Sequence, residues 1–229
     1  MKSGKNVRYL TQLALLTALM LVMANTFLGY IRVGLLTMSL MTVPLAIGAM
    51  LCGPAAGAWL GFVFGMTSFF NAVNGTGGLT AYAFQYSPVL CFLMCVGARV
   101  LCGLLVGLLY RAFVRLLPGR DKLCCVLGGL CAPLLNTLLF MGSMVAFFYN
   151  MDFVQAQVAK LGAANPLMFV ILSVGLQGAL EAVICTVVAA AVTIPLKKFL
   201  HDCPLRAAAN GEQVAFPDNR YIGTILKTK

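Results

Sequence analysis

The chain has 229 residues, 61% of them hydrophobic and 10% charged, with a net charge of +10 and a mean hydropathy of +0.95. Soluble domains carry about 25% charged residues, so this composition excludes a soluble globular protein and points to an integral membrane protein. The excess of basic residues flanks apolar runs, a topology signal rather than a nucleic-acid footprint.

The first apolar segment runs from about Val7 to Leu28 behind a basic lead of Lys2, Lys5 and Arg8. About 22 residues at 1.5 Å each cross a bilayer core. Without a persuasive small-residue cleavage site, it reads as an uncleaved membrane helix and not a signal peptide. Ala14 and Ala18 form a small-xxx-small pair within it. A second segment, from about Leu35 to Cys52, carries Thr37, Ser39, Thr42 and Pro44 in its first half and reads as irregular at its start. Gly53-Pro54 signals a turn. The third segment sets Gly53, Gly57, Gly61 and Gly65 at four-residue spacing, a smooth stripe on which a neighbouring helix can approach closely.

From Asn71 to Ser87 the chain reads NAVNGTGGLTAYAFQYS, without charge and with three glycines. It is expected to be a loop of about 17 residues. It is either a connector with interfacial tyrosines or a lid carrying Asn71, Asn74, Tyr82 and Tyr86 over a site. The fourth segment, about Pro88 to Leu117, holds Arg99, Gly103 and Gly107. The fifth, about Leu123 to Tyr149, holds Pro133, Asn136 and Thr137. Between Asn150 and Asn165, DFVQAQVAKL is a candidate short surface helix. The sixth, about Pro166 to Leu196, holds Gln177 and Glu181, the sole acidic residue in any long apolar segment. Residues 1–200 thus form the expected six-helix membrane domain, and 201–229 a weakly ordered cytoplasmic tail.

Six segments put both termini on one side. Thirteen of the 16 Lys and Arg residues then lie on that side, against Arg32 and Lys160 opposite and Arg99 within the membrane. The positive-inside rule makes the side of the termini cytoplasmic. No internal repeat is apparent, which argues against an inverted-repeat carrier.

Depth counting brings polar residues together. Arg99, Asn136 and Glu181 lie roughly 17, 20 and 22 Å from the outer ends of their segments, and Gln177 sits one turn outward from Glu181. Charges at that depth are expensive and are normally paired or functional. Two compatible readings stay open. One is an Arg99–Glu181 ion pair that fixes the bundle. The other is an outward-facing polar cavity in which Arg99 holds an anionic or carbonyl group and Asn136, Gln177 and Glu181 take hydroxyl or amide donors. Catalytic equipment is missing: there is no GxxxxGK[ST] loop, no GxSxG, one His (His201) and no CxxC among nine cysteines. No catalytic residue, metal, cofactor or disulfide framework is expected.

Taken in order, these features resemble the substrate-binding S components of energy-coupling-factor (ECF) vitamin transporters. The features are Ala14 with Ala18, the glycine string from Met50 to Gly65, Arg99 followed by Gly103 and Gly107, the pair Asn136-Thr137, and Glu181. One departure is Ala98, where relatives often carry proline. The resemblance covers about Tyr9 to Lys198. It implies a bacterial cell-membrane protein that partners a transmembrane coupling subunit and two cytoplasmic ATPases. It also implies that Ala14 and Ala18 face the coupling subunit, and that the subunit topples in the membrane to carry its vitamin inward. Arg99 suits pantothenate best, with riboflavin, folate and pyridoxine-type ligands as alternatives; ring stacking would fall to Tyr82, Phe84 or Tyr86. The competing expectations are a solitary proton-coupled carrier using Glu181, and a ligand-free structural protein in which Arg99 and Glu181 only pair.

Overall fold

The computed structural model describes residues 2–26, 29, 31–33, 36–162 and 165–201. The expected tail beyond His201 lies outside the described residues. The chain divides into a compact unit of residues 1–193 and a second unit of residues 194–229.

Helix α1 (Lys2–Ala24) is followed by a two-stranded antiparallel hairpin, β1 (Ile31–Val33) and β2 (Leu36–Met38), with Ile31 opposite Met38. Then come α2 (Thr42–Cys52), α3 (Pro54–Val73), α4 (Leu79–Tyr86) and α5 (Pro88–Phe92). A π-helical turn (Leu93–Gly97) leads into α6 (Ala98–Leu116), and α7 (Asp121–Phe148), α8 (Asp152–Leu161) and α9 (Pro166–His201) complete the chain. Apart from the hairpin, every regular element among the described residues is helical, as expected. Among the described residues four stretches are long and apolar enough to cross a membrane: Pro54–Val73, Pro88–Leu116, Asp121–Phe148 and Gly178–Leu196. Tyr9–Ala24 and Thr42–Cys52 are shorter apolar helices.

The glycine stripe of α3 has a partner stripe on α6, and the two meet backbone to backbone. A methyl group on Gly57 would strike the carbonyl oxygen of Gly103, one on Gly103 the carbonyl oxygen of Gly57, and one on Gly61 the carbonyl oxygen of Arg99. On Gly65 it would sit 2.7 Å from the Val96 Cα, and on Gly107 2.6 Å from the Pro54 Cα. The two helices therefore run antiparallel. Lipid gives helices no hydrophobic reason to associate, so this close main-chain contact and its dispersion energy hold the pair. Gly53, between α2 and α3, has φ +97°, a value other residues adopt only with strain. It allows the chain to reverse within one residue before Pro54 starts α3.

Other elements pack around this pair. Across α1, the Trp59 indole donates to Thr17 Oγ1 at 3.3 Å, and Leu16 and Leu60 fill the space over Gly48. On the other side, α7 meets α9 where Gly129 faces Thr186 and Ala189. An apolar cluster including Leu79, Ala83, Met94, Phe148, Val154 and Phe169 joins α4, α7, α8 and α9.

One expectation needs correction. The stretch from Asn71 to Ser87 is not a long loop: α3 continues to Val73, and Leu79–Tyr86 is α4. Leu79 and Ala83, spaced i and i+4, bury against the apolar cluster, and tertiary packing rather than local propensity makes this short helix. Only residues 74–78 form the turn, with Gly75 at φ +71° and Gly78 at φ +60°. The surface helix DFVQAQVAKL is present as α8.

The seam gives a direct test. Gly57→Val should destabilise the protein by about 2–3 kcal/mol or more, read as a lower melting temperature in detergent. Gly142→Ala, where a methyl group meets nothing within 4 Å, should be neutral or slightly stabilising.

Candidate functional site

Arg99 is only 6% exposed. The π turn just before it shifts the backbone hydrogen-bond register, and in that stretch the Cys95 carbonyl accepts from Arg99 Nη1 at 3.1 Å. The guanidinium lies between two rings, 4.6 Å from the centroid of Phe64 on α3 and 4.5 Å from that of Phe140 on α7. A desolvated cation–π contact of this kind is worth about 2 kcal/mol. Arg99 Nε is buried and has no hydrogen-bond partner.

Glu181 is 5% exposed. Thr42, fully buried at the start of α2, places its hydroxyl 3.3 Å from Glu181 Oε1 and 3.1 Å from the Ser39 carbonyl. One hydroxyl proton serves one of these acceptors at a time. The Ser39 backbone also hydrogen-bonds the Glu181 carboxyl, and Arg99 lies within its coulombic reach. Among the described residues no ion pair joins Arg99 to Glu181; Arg99 lies against two aromatic faces and one carbonyl, and Glu181 against Thr42 and the Ser39 backbone at the start of a helix. Cys102, whose thiol donates to the Ala132 carbonyl at 3.5 Å, lies within coulombic reach of Arg99, Glu181 and Cys185.

The remaining residues singled out by sequence are spread more widely. Asn136 is half-buried on α7, one helical turn before Phe140. Gln177 lies on α9 one turn before Glu181, and its side chain is outside the described residues. Asn71 is used locally: its carbonyl and Oδ1 lie 3.2 and 3.5 Å from the Thr76 hydroxyl. Asn74 is exposed at the C-terminal cap of α3. Tyr82 is 44% exposed and stacks on Phe153 of α8, with centroids 3.8 Å apart and planes at 14°. Tyr86 packs edge-on against Phe148 at 6.0 Å. Ala14 and Ala18 are exposed on α1. No group of three or more His, Cys, Asp or Glu side chains suited to a metal ion occurs among the described residues.

Sequence reasoning missed Phe64, Phe140 and Thr42. Phe140 had a signal, since it lies four residues after Asn136 and so shares its helical face. Phe64 sits beside the glycines that bring α3 against α6. Thr42 is in sequence one more hydroxyl in an irregular stretch, and only the tertiary fold brings it to Glu181.

Chemically, the site offers a buried cation with no carboxylate at ion-pair distance among the described residues and a carboxyl group with hydroxyl and main-chain partners. It is suited to binding. A family model for the ECF transporter substrate-specific component matches residues 8–193, ending where the compact unit ends. No curated protein matches the chain.

Burying a charge without a counter-ion costs stability. Arg99→Met keeps length and apolar bulk while removing the charge. It should raise the stability of the empty protein by about 1–2 kcal/mol, seen as a melting temperature several degrees higher. A lower one would mean that the two rings and the Cys95 carbonyl already compensate the charge in full.

Proposed function

The chain belongs to the ECF transporter substrate-specific components, and from that premise we propose that it captures a water-soluble vitamin or vitamin precursor bearing a carboxylate. Pantothenate is the best candidate. The observation that carries this reading is Arg99: a buried guanidinium with an unpartnered Nε and no carboxylate at ion-pair distance among the described residues. An anionic solute supplies the counter-ion that the empty site lacks, and Arg presents a planar fork suited to a carboxylate. Riboflavin, folate and pyridoxine-type solutes rank below it.

In this proposal Asn136 and Gln177 take hydroxyl or amide groups of the solute, with Glu181 at the floor. Asn71, Asn74, Tyr82 and Tyr86 lie towards the outer mouth, where α4 and α8 stack through Tyr82 and Phe153. The family is one of transport proteins, not enzymes, whose members work with a coupling subunit and ATPases. We place the termini in the cytoplasm of a bacterial cell and the exposed Ala14 and Ala18 against the coupling subunit, where small side chains allow close helix contact. Toppling of the whole subunit then carries the solute inward, powered by two separate ATPases.

Native mass spectrometry of the freshly purified protein should show an added mass equal to one vitamin. Titration with pantothenate should give a dissociation constant of about 1 μM or tighter, weakened about 100-fold or more in Arg99→Gln. No binding of pantothenate, with tight binding of an uncharged vitamin, would overturn the carboxylate assignment. Replacing Ala14 and Ala18 together by Trp should abolish ATP-driven uptake and leave solute affinity unchanged. A joint loss of both would place these alanines in the fold or the solute site instead. Uptake by the chain alone in liposomes, driven by a pH gradient, would favour a solitary carrier.

A further inference from the structure

Helix α6 is entered through the π turn Leu93–Gly97, and just ahead of Arg99 the chain carries two thiols on one face. Cys91 and Cys95, four residues apart, share a helical face and bring their sulfurs to 4.0 Å. Both side chains are fully buried. They lie about 5 and 10 Å along the span that begins at Pro88, with Arg99 one turn further in. The pair is not packed against carbon alone. The Cys91 thiol donates to the Thr80 carbonyl of α4 at 3.6 Å, and the Ser68 hydroxyl of α3 donates towards the Cys95 sulfur at 4.0 Å. Arg99 lies within coulombic reach of both sulfurs. Turns of the π type occur frequently at functional sites, and solute capture through Arg99 uses neither thiol.

Sulfurs at this spacing suit one kind of ligand. They are about twice as far apart as the sulfurs of a disulfide, and an ion midway between them lies about 2 Å from each. Thiolate–metal bonds run to about 2.3 Å, so a shift of a few tenths of an ångström by each sulfur admits it. Among the described residues no third His, Cys, Asp or Glu completes a group for a metal ion, which sets aside zinc and its four ligands. Soft thiolates select Cu(I), an ion that two of them satisfy. Binding sends both thiol protons to water. One monovalent ion and two thiolates then carry a single negative charge, with no change of oxidation state. Arg99, which has no carboxylate at ion-pair distance among the described residues, answers that charge. The Ser68 hydroxyl is placed to donate to the Cys95 thiolate. The contact given up is the one from Cys91 to the Thr80 carbonyl.

We propose that Cys91 and Cys95 form a two-coordinate site for a soft monovalent metal ion, Cu(I), held as a bis-thiolate whose negative charge Arg99 answers. An occupied site gives Arg99 the counter-ion it lacks and so weakens its hold on an anionic solute. This second half rests on reading Arg99 as the solute contact; the metal site itself does not. Thiophilic metal is then an inhibitor of solute capture that acts through the charge of the solute site.

Anaerobic titration of the reduced full-length protein in nanodiscs, with Cu(I) delivered from a chromophoric chelator, reads the metal site without any solute. The parent protein should take one Cu(I) from the chelator. Cys91→Ser and Cys95→Ser should each bind it about 100-fold more weakly or worse. Cys124→Ser, beside Leu117 at the other end of α6, should match the parent. Arg99→Gln should weaken Cu(I) binding about 10-fold. Cys91→Ala and Cys95→Ala are the second variants should the serine ones fail to fold. X-ray absorption at the copper edge, on the parent alone, should show two sulfur neighbours. The site is overturned by no retained copper, by copper retained in both serine variants, by three or more sulfur neighbours, or by an affinity indifferent to Arg99. Pantothenate titration reads the second half. One equivalent of Cu(I) should weaken pantothenate binding about 10-fold in the parent and leave it unchanged in Cys91→Ser, with pantothenate weakening Cu(I) by the same factor. Unchanged pantothenate affinity in the loaded parent overturns the inhibition. If pantothenate does not bind at all, the carboxylate-solute reading and the inhibition built on it fail together, while the copper titration still decides the site.

Discussion

The main-chain contact between α3 and α6 is the constraint from which the rest follows. Two helices that touch through Gly57 and Gly103 have almost no freedom to slide, because any rotation drives side chains into backbone. That contact places the Arg99 carbonyl against Gly61 and so fixes the depth and azimuth of the Arg99 side chain. It also brings Phe64 of α3 over the guanidinium. A side chain held in this way is pre-positioned by two rigid rods rather than by a loop, which lowers the ordering cost of any contact it makes.

The two intramembrane charges are not spent on each other. Glu181 is used at the start of α2, and Arg99 is held by two rings and one carbonyl. An ion pair in low dielectric needs good geometry on both sides and leaves little attraction for a third charge. Separation at coulombic range damps the cost of each charge while keeping both available. Aromatic faces suit this role, since they stabilise a cation without occupying its hydrogen-bonding edge.

Much of the fold was legible because helical rise is constant. Counting residues from segment ends placed Arg99 and Glu181 at one depth, and the structure has them within coulombic reach. The glycine stripe of α3 was legible for the same reason, although its partner stripe, Gly103 and Gly107, was recognised only as part of a pattern. The stretch 71–87 was misread because its glycines and uncharged polar residues look like a loop, while the two residues that make it a helix, Leu79 and Ala83, do so by burial against elements far along the chain. The π turn before Arg99 left no sequence mark. Of the two readings left open for Arg99 and Glu181, a direct ion pair is not formed among the described residues, because equal depth does not fix azimuth: side chains on two helices can share a level and still face different neighbours.

The same azimuth argument explains why a single carboxylate serves such an apolar helix. On α9 both Glu181 and Cys185 reach Thr42 at the start of α2, and that start is buried. A neutral acceptor such as Gln or Asn would satisfy the hydrogen bonds but would not answer the helix dipole or offset the field of Arg99. A carboxylate does both at once. At Leu180 or Val183, which are exposed on either side of the contact, it would face lipid, and its desolvation would be uncompensated. The hydrogen bond from Thr42 thus gives Glu181 a structural use in the bundle. Arg99, by contrast, has no carboxylate at ion-pair distance among the described residues and feels Glu181 only at coulombic range.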